Sequence, residues 1–595
     1  MTRTRIYISR FTLLLLLLLR SASCPAQSVS DVMDGVIARF YQNLDMSALK
    51  ELDDGAILAL LTEKEREILA TKYWTFNTNA PVVVSLMRHI EQRTLPFWLP
   101  SSGFVLTNFV VRNEEYSYEV WQKRFAAGPV GLGINGFDKH RPHYFLCVAP
   151  ENSADVIELS QFSPEPQHQS QMREGAFTYH DWDELVLTEV PEALRGQILL
   201  TTIRGRAREA HLINAFRRTA HPASQNPDQL LLSWDDDPRT TQVIQWRTGS
   251  SVSDGAVRYW IENDTGRAQQ PRTIRASRVP MRDRLLSNDR VVHRFTAKLV
   301  DLQPGTKYSY VAGSPEKDVW SPRAEFITAP EGERPFKFIY FGDTHKSPHW
   351  GELINTAYKR HPEAAFYTIA GDMVSIGLHR DEWDELFVYS AGVIRNRPLM
   401  PSLGNHDDQD GLGAWMYFDL FELPRNGPDS LEPERCYSFE YGNALFLMLD
   451  ATSPVQAQTA WLAGQLESTE AVWKFAVFHF PPYSYEEDYP KIREQWGALF
   501  DQYHVDMVLT GHVHYYMRSK PMFAGQPAAL PALGTIYVIS IAVPNREEEM
   551  PPREYVEVRF GGEMLYQTFE IDGGRLLYRA WNLAGEIRDE LVIEK

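Results

Sequence analysis

Seven side chains able to bind a metal close a series of apolar runs in the C-terminal part of the chain. Lys337-Phe338-Ile339-Tyr340-Phe341 reads as a buried strand that stops at Gly342 and delivers Asp343 and His345. The run at 365–370 stops at Gly371-Asp372, and that at 399–403 stops at Gly404-Asn405-His406-Asp407. The run at 475–478 stops at His479, and that at 505–509 stops just before Gly511-His512-Val513-His514. Asp343, His345, Asp372, Asn405, His479, His512 and His514 offer carboxylate, amide and imidazole donors and no thiolate. Such a set suits Mn, Fe, Zn or Co better than Ca or Mg. One Asp-x-His or one Gly-His-x-His is weak evidence alone. All five groups in order, each at a strand-like end, point to a metal centre, because open α/β sheets build sites at the carboxyl ends of their strands.

The elements that must hold these residues are legible from 335 onward, where strands and helices alternate. Helices are predicted over 350–360, 380–394, 459–466 and 489–503 from their apolar periodicity. A hairpin is predicted between 436–441 and 444–450, turning at Gly442-Asn443, and further β-structure at 536–541, 554–560, 566–571 and 576–581. The fold class is multidomain: a helix-flanked, two-sheet α/β sandwich over 335–595, preceded by β-sandwich domains. Short alternating strands over 225–331, with the turn Pro304-Gly305, suit an immunoglobulin-like sandwich. Aromatic and β-branched runs make 73–220 a β-rich accessory domain with a packing or docking role. Within it Gly131-Leu132-Gly133-Ile134-Asn135-Gly136 is read as a turn, since it neither follows a clean strand nor opens a helix. Residues 27–72 are predicted helical.

Residues 1–26 have the layout of a secretory signal peptide. Arg3, Arg5 and Arg10 precede a leucine run at 13–19, and small residues follow, with cleavage expected after Ala26. The run is too short to cross a membrane, which takes about 20 apolar residues, so no transmembrane segment is expected in the mature chain. Ser21-Ala22-Ser23-Cys24 also forms a poor lipobox, which leaves a lipid anchor at Cys24 as an alternative. An exported location follows in either case. Three cysteines in 595 residues supply neither a disulfide framework nor a cysteine metal cluster. A formal net charge of −18 argues against a nucleic-acid partner, whose phosphates demand a basic surface.

The order Asp343-x-His345, Gly371-Asp372, Gly404-Asn405-His406-Asp407, His479, Gly511-His512-x-His514 resembles that of the calcineurin-like metallophosphoesterases. Leu302-x-Pro304-Gly305-Thr306-x-Tyr308-x-Tyr310 and Trp320-Ser321-Pro322 resemble the fibronectin type III-like N-terminal domain of purple acid phosphatases, which also sits directly before a catalytic domain. The resemblance implies a cofactor of two divalent or mixed-valence transition metal ions (Mn, Fe or Zn). One would be held by Asp343, His345, Asp372 and His514. The other would be held by Asp372, Asn405, His479 and His512, with Asp372 bridging. Two carboxylates against two divalent ions leave positive charge for a phosphate. The implied activity is hydrolysis of small phosphate esters by attack of a metal-bound hydroxide. His406 would protonate the leaving group, with Asp407 orienting its ring.

This chain departs from the purple acid phosphatases at Ser375, where they carry a tyrosine ligand to ferric iron, and at His345, which their first motif lacks. His345 is expected to take the place of the phenolate, so a purple ferric site is not expected. A phosphomonoesterase is the leading reading, with a phosphodiesterase or nucleotidase as the alternative. From another class, a cell-surface binding protein with a structural metal site competes. A spare acid at His406 argues against it, because structural metals need none. The insert 408–435 and Pro481-Pro482-Tyr483-Ser484-Tyr485 are expected to line the substrate rim.

Overall fold

The computed structural model describes residues 28–138, 143–163, 168–178, 185–201, 208–261, 270–408, 413–546 and 550–595. The signal-peptide reading of 1–26, and Cys24 with it, lies outside the described residues. None of the described helices is long and apolar enough to cross a membrane.

Four helices, Val29–Asn43, Met46–Lys50, Asp54–Ala59 and Glu63–Thr71, open the described chain. Ser28 with Asp31 and Thr62 with Glu65 form capping boxes that satisfy the first free amides of the first and last of them. Val29, Val32, Met33, Val36, Ile37 and Phe40 recur at helical spacing and are buried. They share one core with Val82, Val84, Leu86, Leu146 and Val148 of a seven-stranded antiparallel sheet, so helices and β-structure form one module. The segment read as a turn at 131–136 begins inside a strand, Gly128–Leu132, paired antiparallel with Trp74–Thr78. A Cβ at Gly131 would overlap the carbonyl of Thr71 at the end of the fourth helix. Close helix-to-strand packing, and not a turn, is what this glycine permits.

Next, strands Asp228–Ser233, Gln242–Gly249, Val291–Leu299 and Ser277–Arg282 form one sheet of a sandwich. Ala256–Ile261, Lys307–Ser314 and their neighbours form the other, and Trp246, Phe295, Tyr308 and Phe326 fill the space between.

In the C-terminal part the sheets face each other through aromatic rings. Phe338 stacks on Phe569 at 4.4 Å and meets Phe446 and Phe475 edge-on at 5.0 and 5.2 Å. Fully burying such a side chain is worth about 1.5–3 kcal/mol. One sheet runs Leu399–Ser402, Phe366–Ala370, Phe336–Phe341, then three antiparallel strands ending with Ile587–Glu594. Its first three strands are parallel. The other carries Ala444–Met448, Trp473–Val477, Met507–Thr510 and Ile536–Ile539 in parallel at its centre. Helices Pro348–Arg360 and Arg380–Ile394 lie beside the first sheet, while Val455–Ser468 and Ala498–Tyr503 pack on the second. The predicted helix over 489–503 contains a π-helical turn, Arg493–Gly497. Because the parallel strands of both sheets end at one edge, their terminal loops converge.

Candidate metal centre

That edge gathers the predicted ligands into two groups, Asp343 with His345 and His514, and Asp372 with His479 and His512. His514 Nε2 stands 3.4 Å from Asp343 Oδ2 and from His345 Nε2. His345 Nε2 is 3.7 Å from Asp343 Oδ2 and 3.9 Å from Asp372 Oδ2. On the other side, His479 Nε2 is 3.1 Å from Asp372 Oδ2 and 3.2 Å from His512 Nδ1. Asn405 lies in the same loop cluster, since the N–H of its neighbour His406 donates to Asp372 Oδ1 at 3.0 Å.

The backbone is bent to bring these groups in. His345, Asp372 and His512 have φ of 41°, 51° and 74°, left-handed conformations that cost non-glycine residues about 1–3 kcal/mol and gather at functional sites. Gly404 and Gly511 allow close approaches to the ligand carboxylates: a Cβ on the first would overlap Asp372 Oδ1, and on the second Asp343 Oδ1. Asp343 Oδ1 in turn accepts the N–H of His512 at 2.8 Å.

The donor set fits transition metal ions by what it leaves over. Asp343 Oδ2 and Asn405 Oδ1 are buried acceptors with no hydrogen-bond partner. Buried acceptors are rarely left so in folded proteins, and lone pairs converging at 3.1–3.9 Å are what cations require. The charges agree. Burial alone would raise Asp372, but the imidazoles of His479, His406 and His345 outweigh it and hold the carboxyl well below its usual range. Burial alone would lower His479, yet Asp372 and Asp343 push its imidazole up to about 9.

His406 sits beside this cluster with Nε2 3.9 Å from Asp372 Oδ2, and its Nδ1 lies 2.7 Å from the carbonyl of Ser375. Asp407 does not orient that ring. Its carboxylate accepts the amides of Met373 at 3.0 Å, Val374 at 3.3 Å and Gly404 at 3.1 Å, tying together the loops after two parallel strands. The two adjacent side chains reach the same loop but take different partners in it, His406 a carbonyl and Asp407 two amides, so neighbours in sequence are not partners here. The partner missed by sequence reasoning is the Ser375 carbonyl. It is fixed by Glu382, whose Oε2 accepts the amides of Ser375 and Ile376 at 2.9 and 3.0 Å. A second missed residue is Glu487, whose carboxylate meets His512 Nε2 at 3.1 Å. The insert 408–435 is not simply a rim: Met416, Tyr417 and Leu420 of its helix are buried in the domain core, and Arg435 ties it to Asp408 and Asp450. His514 and His406, with 49% and 32% of their side chains exposed, mark the open face of the centre.

Residues 227–328 match the model of the purple acid phosphatase N-terminal domain, and 336–516 that of the calcineurin-like phosphoesterases. The chain therefore has purple acid phosphatase-like architecture. An uncharacterized protein of Mycobacterium tuberculosis is 29% identical over 355 residues, 52% of this chain and 64% of that protein. An Fe(3+)-Zn(2+) purple acid phosphatase of Arabidopsis thaliana is 25% identical over 322 residues, 50% of this chain and 66% of that enzyme. The chain thus spans just under two thirds of each of these relatives. A purple acid phosphatase from yellow lupin (Lupinus luteus) seeds shares the fold at a TM-score of 0.56 and 14% identity, over 88% of this chain and 93% of that one. That share reaches beyond the two matched domains into the N-terminal module.

Proposed function

We propose that this chain is an exported metallophosphoesterase that hydrolyses small phosphate monoesters at a dinuclear centre. The carrying observation is the pair of facing ligand groups with buried, unpartnered acceptors at Asp343 and Asn405. Asp343, His345, Asp372 and His514 would hold one ion, and Asp372, Asn405, His479 and His512 the other. Two transition metal ions, Mn, Fe or Zn, would supply a nucleophile from water at neutral pH and positive charge to clamp the phosphoryl group.

The protein's own contribution to the leaving group is His406. With Nδ1–H donated to the fixed Ser375 carbonyl, Nε2 is turned toward the centre, 3.9 Å from Asp372 Oδ2, on the side where the ring is partly exposed. A proton carried on Nε2 passes to the ester oxygen as the P–O bond breaks, and water restores it. Ser375 brings no phenolate, which supports a site distinct from the purple ferric one. Export is supported by the signal-like residues 1–26, and N-terminal sequencing of secreted protein would test it, intact Met1 on cytoplasmic protein counting against it.

The decisive assay compares metal-loaded wild type and His406→Ala on an alkyl phosphate and on nitrophenyl mono- and diesters. General acid catalysis contributes about 10²–10⁴-fold, so the alkyl phosphate should lose that much while the nitrophenyl monoester loses far less. Equal losses with both ions retained would remove His406 from the acid role. A faster diester than monoester would make the enzyme a phosphodiesterase, and inertness to all three would reduce the metals to a structural part.

A further inference from the structure

The two histidines of the second ligand group are oriented by different kinds of partner, and the difference singles out Glu487. His479 points Nδ1 at the carbonyl of Ala370, 2.8 Å away, so Nδ1 carries a hydrogen and Nε2 is the atom turned to the ligand group. His512 is the reverse. Its Nε2 lies 3.1 Å from Glu487 Oε1, so Nε2 carries the hydrogen and Nδ1 the lone pair. His479 Nε2 and His512 Nδ1 stand 3.2 Å apart, and His479 Nε2 is also 3.1 Å from Asp372 Oδ2. With both rings neutral, each of those nitrogens would present a lone pair to an ion between them.

We infer that Glu487 is a positioning residue of the second metal site, holding His512 in the tautomer that presents Nδ1 to the ion. The inference rests on the ligand reading proposed above. A carboxylate behind a ligating imidazole fixes its ring and raises its basicity. A backbone carbonyl, as at His479, orients the ring without the charge.

The loop carrying Glu487 is built to keep it in place. Ser484 closes a tight turn on it, accepting the amide of Glu487 at 3.0 Å and donating to its carbonyl at 2.7 Å. The Tyr489 hydroxyl donates to Glu487 Oε2. Arg553 donates to the carbonyls of Ser484 and Tyr485 at 2.7 and 3.2 Å, and Arg493 to that of Pro482 at 2.6 Å. Of the neighbouring acids, Asp488 is paired with Arg493 at 2.5 Å, so its charge is turned away from the centre. Phe480 stacks on Tyr489 at 4.9 Å and meets the His512 ring edge-on at 4.6 Å, walling the ring on its apolar side. His512 also holds a left-handed backbone, which such bracing helps to maintain.

The test is zinc binding by the full chain, stripped of metal and then titrated with zinc alone at buffered free concentrations. Stoichiometry and affinity are read by calorimetry and elemental analysis. Wild type should take two ions. Glu487→Ala should weaken one of the two about 10–100-fold and leave the other unchanged. Glu487→Gln can still accept the Nε2 hydrogen through its amide oxygen, so it should lose less and serves as the variant least able to disturb the loop. In a His512→Ala background, Glu487→Ala should add no further loss. Unchanged affinity in Glu487→Ala, equal weakening of both ions, or an added loss in the His512→Ala background would each overturn the role of Glu487. Loss of one ion in His512→Ala alone would then leave the ligand reading standing. Retention of two tight ions by His512→Ala would overturn the ligand reading and the inference together.

Discussion

Two buried clusters of acids and nitrogen bases lie within one domain's reach of each other, and they differ in what they leave unpaired. At the first, Asp343, Asp372 and the histidines leave acceptors over, Asp343 Oδ2 and Asn405 Oδ1. The second sits where helix Arg380–Ile394 meets the preceding β-sandwich. There Asp384 accepts from Arg247 at 2.6 Å, Thr219 and Gln229 at 2.8 Å, and Arg380 at 3.3 Å. Arg247 also pairs with Asp228, and Arg380 with Asp289. The atoms left over there are donors, the Nε–H groups of Arg217 and Arg380. A cation can use surplus lone pairs and cannot use surplus N–H. One cluster is therefore arranged for a metal and the other for holding two domains together, although their compositions are alike. The clamp also reaches the site, because Glu382 on the clamped helix fixes the carbonyl that takes His406.

The sharpest way to break this contrast is metal removal. Ligand binding stabilises a fold by about 2.7 kcal/mol per site at a hundred times Kd, so the thermal midpoint should rise with metal concentration in wild type. Asp372→Asn, at the proposed bridge, should abolish that dependence and empty both sites. Activity should fall by about 10³-fold or more, since metals supply several kcal/mol of transition-state stabilisation and each 1.36 kcal/mol is tenfold. A variant that keeps two ions would contradict the bridge.

Asp384→Ala should do the opposite. It leaves Arg247 and Arg380 buried without their shared carboxylate, a change that typically costs about 3–5 kcal/mol. The denaturation midpoint should drop accordingly, while the variant still binds two ions below the transition. A loss under about 1 kcal/mol, or loss of metal in the folded state, would erase the distinction between the clusters.

The metal cluster was largely legible in the sequence and the clamp was not, for a physical reason. The ligands come in short local groups, such as Asp343-Thr344-His345 and Gly511-His512-Val513-His514, each marked by an apolar strand and, at most of them, by a glycine that a close approach requires. Three of the four donors to Asp384, from Thr219, Gln229 and Arg247, lie 137 to 165 residues away from it, with no local pattern to announce them. The alternation of strands and helices set the two-sheet domain. Asp407 misled because adjacency in sequence stood in for partnership, and Gly131 because a packing glycine resembles a turn glycine. Glu487 carried only a faint signal, an acidic run starting five residues after Pro481 in a loop already suspected of lining the rim.

Glu434 gives the smallest test, because it falls between the two clusters. Its side chain is 4% exposed and has one cationic partner, Arg425 at 3.1 Å, which is itself 61% exposed and also faces Glu422. Burial and the charge of Glu422 push its carboxyl up to about 7, against the pull of Arg425. Below the ordinary glutamate value near 4.5 both folded and unfolded chains carry the proton, and the group has no effect on stability. Between that value and about 7 the unfolded chain gives the proton up while the folded chain keeps it, so stability falls as pH rises. Above about 7 both are ionised and the full penalty stands. Glu434→Gln never ionises and keeps an acceptor for Arg425, whose exposed guanidinium loses little. The variant should match wild type at pH 4 to 5 and exceed it by about 3 kcal/mol at pH 8, one pK unit being worth 1.36 kcal/mol. Denaturant midpoints across that range decide it. A variant less stable at pH 8 would mean that the Arg425 pair outweighs burial, which would place Glu434 with the clamp and not between the two clusters.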